Sequence, residues 1–301
     1  MKTLKRLLVT GASGLLGFNI CRLQREHWQI FGVAHSHDIN SQGVVLLRAD
    51  LTQWEEARRI FTVAKPHAVI HAAAASDPHF CQLNPRISFL VNVEASRNIA
   101  RLCAEYGAAC VFTSSDLVFD GQKAPYAEDA PVTPVSLYGE QKAKAEEVML
   151  GLYPPTVVCR MPLMFGEPGP AAKSFLQPMM AAMREHRTLQ LFVDEFRTPV
   201  CAESAVQGLM LALTLQKGGR LHLGGRERIS RYGFGVLLMS HLRRFDALLV
   251  PSRQTDVKLA APRPADVSLN SSKAFAVGYA PFSLRDSLAR LFPGVNASEA
   301  D

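Results

Sequence analysis

An apolar run, Leu7-Leu-Val9, leads straight into Gly11-Ala-Ser-Gly14-Leu-Leu-Gly17 and then into a helix-like stretch running through Cys21 to Glu26. Three glycines at this spacing have separate physical uses. Gly11 permits the tight turn, Gly14 lets the backbone approach a ligand closely, and Gly17 allows the helix to pack on the strand. The exposed N–H groups and the positive end of the helix dipole then face a common point, which favours phosphate. In its strand–turn–helix context the segment predicts a site for a nicotinamide dinucleotide, held by Gly11, Ser13, Gly14, Leu15, Leu16 and Gly17.

The rest of the first half repeats the alternation. Strands are expected at Ile30 to Ala34, Val44 to Leu47, Ala68 to Ile70, Ala109 to Thr113 and Thr156 to Cys159. Helices are expected at Glu55 to Ala64, Pro85 to Glu105 and Ser136 to Met149. The strands lack polar alternation, as when helices cover both faces of a parallel sheet. The fold class is therefore α/β, a Rossmann doubly wound parallel sheet.

After Arg160 the rhythm breaks at Pro162, Gly166, Pro168, Gly169 and Pro170. Helices are expected near Ala171 to His186, Glu203 to Leu215 and Tyr232 to Arg244, with one strand, Arg220 to Leu223, between them. Residues 1–165 are expected to form the dinucleotide-binding domain, joined by a returning strand near 220–224. Residues 166–301 are expected to form a smaller, substrate-binding lobe. The polar tail Asn296 to Asp301 is expected to be loose.

Which dinucleotide is bound depends on the end of the second strand. An acid there would favour NAD by accepting from the adenosine 2′-hydroxyl. The chain reads Val33-Ala-His35-Ser36-His37, with no acid before Asp38. His35, Ser36 and His37 can donate to a 2′-phosphate, so NADP is the expected cofactor, with NAD as the alternative. Asp50-Leu51, after the third strand, suits the adenine. Ala72, Ala73 and Ala74, after the fourth, leave room for the cofactor to lie flat.

Tyr138 and Lys142 stand four residues apart on one helix face. A phenol titrates near 10, and a neighbouring ammonium is expected to lower that value and fit the phenol to protonate a carbonyl oxygen. Ser115, in Phe112-Thr-Ser-Ser115 at the end of the preceding strand, can hold the same carbonyl in line.

With T-G-x-x-G-x-x-G at Thr10 to Gly17 and Y-x-x-x-K at Tyr138 to Lys142, the chain resembles the extended short-chain dehydrogenase/reductases. Ser114-Ser115-Asp116-Leu117-Val118-Phe119-Asp120-Gly121 is most similar to the S-T-D-Y-V-F-D-G segment of dTDP-4-dehydrorhamnose reductases. Pro134 to Lys142 and Arg263 to Leu269 fit the same group. The resemblance implies an oxidoreductase that reduces a nucleotide-linked 4-keto-deoxysugar with Ser115, Tyr138 and Lys142. Tyr138 and Lys142 would also contact the cofactor, with Lys142 holding the nicotinamide ribose. Ser115, Asp116 and Arg197 are the candidate substrate contacts; Arg197, in Asp194-Glu-Phe-Arg197-Thr-Pro199, could clamp a diphosphate or form a surface salt bridge. Leu117 stands where the group has Tyr and where 4,6-dehydratases carry a Glu, which argues against dehydration. The chain is similar as well to the regulatory beta subunit of methionine adenosyltransferase, a binding partner rather than an enzyme, and to nucleotide-sugar epimerases. Those are the alternative readings.

The bulk properties agree with this picture. At 301 residues, 48% hydrophobic and 20% charged, with a net charge of +6 spread along the chain, it reads as a globular enzyme of cytoplasmic type. No basic run points to nucleic acid and no apolar stretch reaches the roughly 18 residues that span a bilayer. The six cysteines show no metal-ligand spacing and read as reduced, buried thiols. A homodimer is allowed for.

Overall fold

The computed structural model describes residues 4–37, 42–169, 174–215, 217–242 and 248–293. Asp38, Pro170, the start of the helix expected from Ala171, the end of the one expected to reach Arg244, and the tail Asn296 to Asp301 lie outside the described residues.

Seven parallel strands form the central sheet: β1 (Arg6–Thr10), β2 (Gln29–Ala34), β3 (Val44–Arg48), β4 (Ala68–His71), β5 (Ala109–Ser115), β6 (Val157–Met161) and β7 (Gly219–His222). Their spatial order is β7-β6-β5-β4-β1-β2-β3. The chain winds outward from β1 to β3, returns to β4, and winds outward the other way. The direction therefore reverses between β1 and β4, and such switch points open a crevice at the carboxyl ends of the strands.

Side-chain alternation divides the core in two. Leu7 and Val9 of β1 join one cluster with Ile20 of helix α1 (Leu15–Gln24) and Leu209 of the helix Ala202–Leu215. Leu8, pointing the other way, joins Ile60 and Phe61 of α2 (Trp54–Ala64), Ile99 and Leu102 of α3 (Ala95–Tyr106), and Met149 of α4 (Leu137–Leu152). Both faces are covered, which is why the strands read as unbroken apolar runs. All six cysteines are free and buried.

Two expectations need correction. The single helix expected over Pro85 to Glu105 is three segments: Pro85–Phe89, a π-helical turn Leu90–Glu94, and α3. From the π turn the Asn92 amide donates to Gln141 Oε1 at 2.8 Å, and its carbonyl oxygen accepts from Ala75 N at 2.9 Å. A bulge of this kind carries no periodicity signal in sequence. The second half is also not helical apart from one strand. Met164–Phe165 pairs with Val200–Cys201, Phe196–Arg197 with Ile229–Ser230, and Leu189–Phe192 with Leu249–Ser252. Strands of two to four residues are too short to announce themselves by alternation. Phe165, Met183, Phe234, Leu238 and Leu288 form the core of this half.

Candidate active site

A cavity of about 900 Å³ opens at the carboxyl ends of the strands. The glycine turn forms one wall. A Cβ on Gly11 (φ +65°) would lie 2.7 Å from Ala73 Cα, and one on Gly17 would lie 2.2 Å from Gly11 O. Gly14 caps α1 without a side-chain hydrogen bond, and the first turn of the helix holds no acid. The leading N–H groups of α1 have no intrahelical acceptor and lie beside the cavity, which Ser13, Leu15 and Leu16 also line. These features fit a dinucleotide pyrophosphate: a backbone cradle, a free helix N-terminus and no competing carboxylate. Replacing Gly17 by Ala is expected to cost about 1–3 kcal/mol of overpacking strain, because the new methyl meets backbone rather than a yielding side chain. Calorimetric titration with NADPH should show the weakened binding, and unchanged affinity would refute the cradle.

Ala72, Ala73 and Ala74 line the cavity beside the glycine turn. Thr10 Oγ1 ties this segment to β1 by accepting from Ala72 N and Ala73 N, each at 3.1 Å. Its own hydrogen is thereby directed to His71 Nδ1 at 2.7 Å, and His71 Nε2 then donates to Ser96 Oγ at 3.1 Å. Burial, with Lys142 nearby, lowers His71 to about 3, so this ring is neutral.

His35, His37, Asp50 and Leu51 line the outer end of the cavity. Ser36 is not among its lining residues; its Oγ instead shares a hydrogen bond with His37 Nδ1 at 3.1 Å. The Asp50 carboxylate accepts from Thr52 N and Thr52 Oγ1, so it shapes the loop as well as the wall.

Ser115 ends β5, and Tyr138 and Lys142 come from the first two turns of α4. Ser136 caps that helix by accepting from Gly139 N at 3.2 Å. A Cβ on Gly139 would lie 2.1 Å from Leu117 O, so α4 presses closely on the turn after β5. This brings Tyr138 close enough to Ser115 for the serine hydroxyl to favour the phenolate, against the larger effect of burial. Lys142 donates to Thr113 O at 2.6 Å and stands 4.2 Å from the Phe112 ring centre. All three side chains line the same cavity as the glycine turn.

The electrostatics differ from the expectation. Burial pushes the Tyr138 phenol up rather than down, and the Asp116 carboxylate adds to the rise. Burial also lowers Lys142 to about 7, against the pull of Glu146. A two-residue motif cannot convey this, because desolvation depends on what packs around the pair. The phenol therefore keeps its proton at neutral pH, but it is a weaker acid than the spacing alone predicts.

Arg197 is neither a surface ion pair nor a free clamp. It is 5% exposed, with Nε 3.4 Å from Asp116 Oδ2 and Nη2 3.6 Å from Glu195 Oε1. Glu195 also takes Arg231 Nε at 2.9 Å and Arg263 Nη1 at 3.2 Å. Burial alone would raise Glu195, but the three guanidinium groups outweigh it and hold the carboxyl at about 2. The three guanidinium groups and two carboxylates of this cluster all line the cavity, so this part of its lining is net positive. Sequence reading missed Glu195, Arg231 and Arg263 as site residues. Glu195 lay inside the Asp194 to Pro199 segment and Arg263 at the start of the Arg263 to Leu269 segment, while Arg231 carried no signal in sequence. Among the described residues no group of side chains forms a metal site, and no helix is long and apolar enough to cross a membrane.

The family of the RmlD substrate binding domain matches residues 5–295. The chain belongs to that family. Its fold superposes on the dTDP-4-dehydrorhamnose reductase of Bacillus anthracis, solved in complex with NADP, with a TM-score of 0.86 at 21% identity, covering 96% of this chain and 99% of that one. In sequence it is 29% identical over 287 residues to methionine adenosyltransferase 2 subunit beta of Xenopus laevis, covering 91% of this chain and 83% of that protein. It is 27% identical over 289 residues to a Haloferax volcanii protein named probable low-salt glycan biosynthesis reductase Agl14, covering 94% and 96%.

Proposed function

We propose that this protein is an NADP-preferring reductase of a nucleotide-linked 4-keto-deoxysugar, with NAD as the alternative cofactor. One observation carries the reading: Ser115, Tyr138 and Lys142 line the same cavity as the glycine cradle. Residues 1–165 with β7 are assigned to the dinucleotide and residues 166–301 to the substrate. When bound, a reduced nicotinamide dinucleotide supplies the hydride. Gly11, Ser13, Gly14, Leu15, Leu16 and Gly17 hold its pyrophosphate, while Ala72, Ala73 and Ala74 give it a flat wall. His35 and His37 face the adenosine 2′ position, with Ser36 bonded to His37 behind them, and Asp50 and Leu51 face the adenine. Tyr138 gives its proton to the substrate carbonyl oxygen, Ser115 holds that oxygen, and Lys142 stands behind the phenol and holds the ribose. Asp116 lies beside Ser115 in the cavity lining. Arg197, Arg231 and Arg263 supply the positive wall that a nucleotide diphosphate requires.

The reading is tested by anaerobic NADPH oxidation against a panel of nucleotide keto-sugars, with NADH in parallel. Oxidation with a 4-keto-6-deoxy sugar is the expected result, faster with NADPH. If no member of the panel oxidises either dinucleotide, the substrate class is wrong. The similarity to methionine adenosyltransferase 2 subunit beta supports a second reading, a dinucleotide-binding regulatory subunit. That reading predicts no turnover together with a stable protein complex.

A further inference from the structure

The Ser115 hydroxyl has one hydrogen, and its neighbours decide where that hydrogen goes. Ser115 caps the short turn Asp116–Val118: its Oγ accepts from Leu117 N at 3.1 Å and donates to Asp116 Oδ1 at 3.2 Å. An ionised carboxylate offers acceptors only, so in this hydrogen bond the serine is the donor. While Asp116 is ionised, Ser115 presents lone pairs to the cavity and has nothing to give a carbonyl oxygen there.

Asp116 is poorly supported as an anion. It is 3% exposed, and its Oδ2 is buried and accepts no hydrogen bond among the described residues, with Arg197 Nε 3.4 Å away. Burial raises the carboxyl to about 6, opposed by Arg197, the Ser115 hydrogen bond and Arg231, and reinforced by Glu195. Tyr138, on the facing helix, feels the same carboxylate.

We propose that Asp116 is a positioning residue: its protonation state sets the direction of the Ser115 hydroxyl hydrogen, toward the carboxylate when ionised and into the cavity when protonated. A protonated Asp116 carries an O–H that donates to Ser115 Oγ and releases the serine hydrogen. No substrate bond changes in this step. Asp116 takes its proton from solvent, and Tyr138 remains the donor of the transferred proton. On the reductase reading above, a carbonyl substrate needs the released hydrogen, whereas an alcohol brings its own and prefers the ionised state. Carbonyl reduction should therefore slow as pH rises through about 6, and alcohol oxidation should gain.

Carbon-13 carboxyl NMR of the protein without substrate tests the coupling, with the Asp116 signal identified by its loss in Asp116→Asn. Its midpoint should lie near 6. In Ser115→Ala it should move upward, because the carboxylate loses a donor that favours its charged form. Ser115→Thr keeps the hydroxyl and should stay near the wild-type value, which separates the effect from general disturbance of the turn. A midpoint unmoved in Ser115→Ala, or one in the ordinary carboxylate range, overturns the proposal. The pH profile of kcat/KM for reduction supplies the second arm. In Asp116→Asn the amide can donate permanently to Ser115 Oγ, so the limb near 6 should flatten and reduction at alkaline pH should exceed wild type. An Asp116→Asn limb identical to wild type likewise overturns the proposal. Failure of the wild-type protein to reduce any keto-sugar, with the Ser115-dependent midpoint in place, counts against the reductase reading and in favour of the coupling.

Discussion

Replacing Tyr138 by phenylalanine is expected to lower kcat for keto-sugar reduction by about 10²–10⁴-fold, the range typical of losing a positioned proton donor. The substitution deletes one hydroxyl and retains a ring that is 7% exposed, so packing changes little. Dinucleotide affinity should change far less, because the Gly11 to Gly17 turn is untouched and the Tyr138 ring is retained. Lys142 cannot substitute as the donor. Its amino group is turned to the backbone, donating to Thr113 O at 2.6 Å. Single-turnover kinetics with bound NADPH isolate the chemical step. NADPH consumption undiminished in the variant would refute the proposed mechanism.

Replacing Glu146 by alanine is expected to destabilise the fold by about 3–5 kcal/mol, the cost of leaving a buried charge without its partner. Glu146 accepts from Arg160 Nε at 2.9 Å and Nη2 at 2.8 Å, and both side chains are 1% exposed. It accepts as well from Ser114 Oγ at 2.6 Å and Arg220 Nε at 3.0 Å. Burial alone would raise the Glu146 carboxyl, yet the Arg160 guanidinium and the two other donors outweigh it, and the net shift is downward. The group joins α4 to β5, β6 and β7 at once. Arg220→Ala makes the comparison: that side chain is 37% exposed, so its loss should cost no more than about 1 kcal/mol. Urea unfolding of the two variants measures the difference. Equal midpoints would mean that Arg160 finds another counter-charge.

Glu146 also marks where sequence reading stops. It follows Lys142 by four residues, as Lys142 follows Tyr138, so all three fall on one helix face. The spacing was legible, but the partners were not. Arg160 and Arg220 lie on two strands whose adjacency to β5 is settled only when the sheet forms.

The same division runs through the candidate site. Order and type of elements over the first half were readable because a parallel sheet covered on both faces imposes apolar runs of strand length. The glycine turn was readable because its function is carried by backbone, and only glycine leaves that backbone accessible. Tyr138, Lys142 and Ser115 were readable as a spacing and a strand end. The short strands between Met164 and Ser252 and the π turn at Leu90–Glu94 were not, since each is stabilised by partners distant in sequence.

By itself, then, the sequence of this protein determined the parallel α/β fold, the turn from Gly11 to Gly17 and the residues able to carry acid chemistry. The tertiary structure decided their electrical state. It buried Tyr138 so that its phenol holds its proton, and it withdrew Arg197 from solvent into pairs with Asp116 and Glu195. It also gathered Arg231 and Arg263 from separate segments around one carboxylate. The physical reason is that charge and pKa depend on desolvation and on neighbours within a few ångströms, and both exist only once the chain has packed.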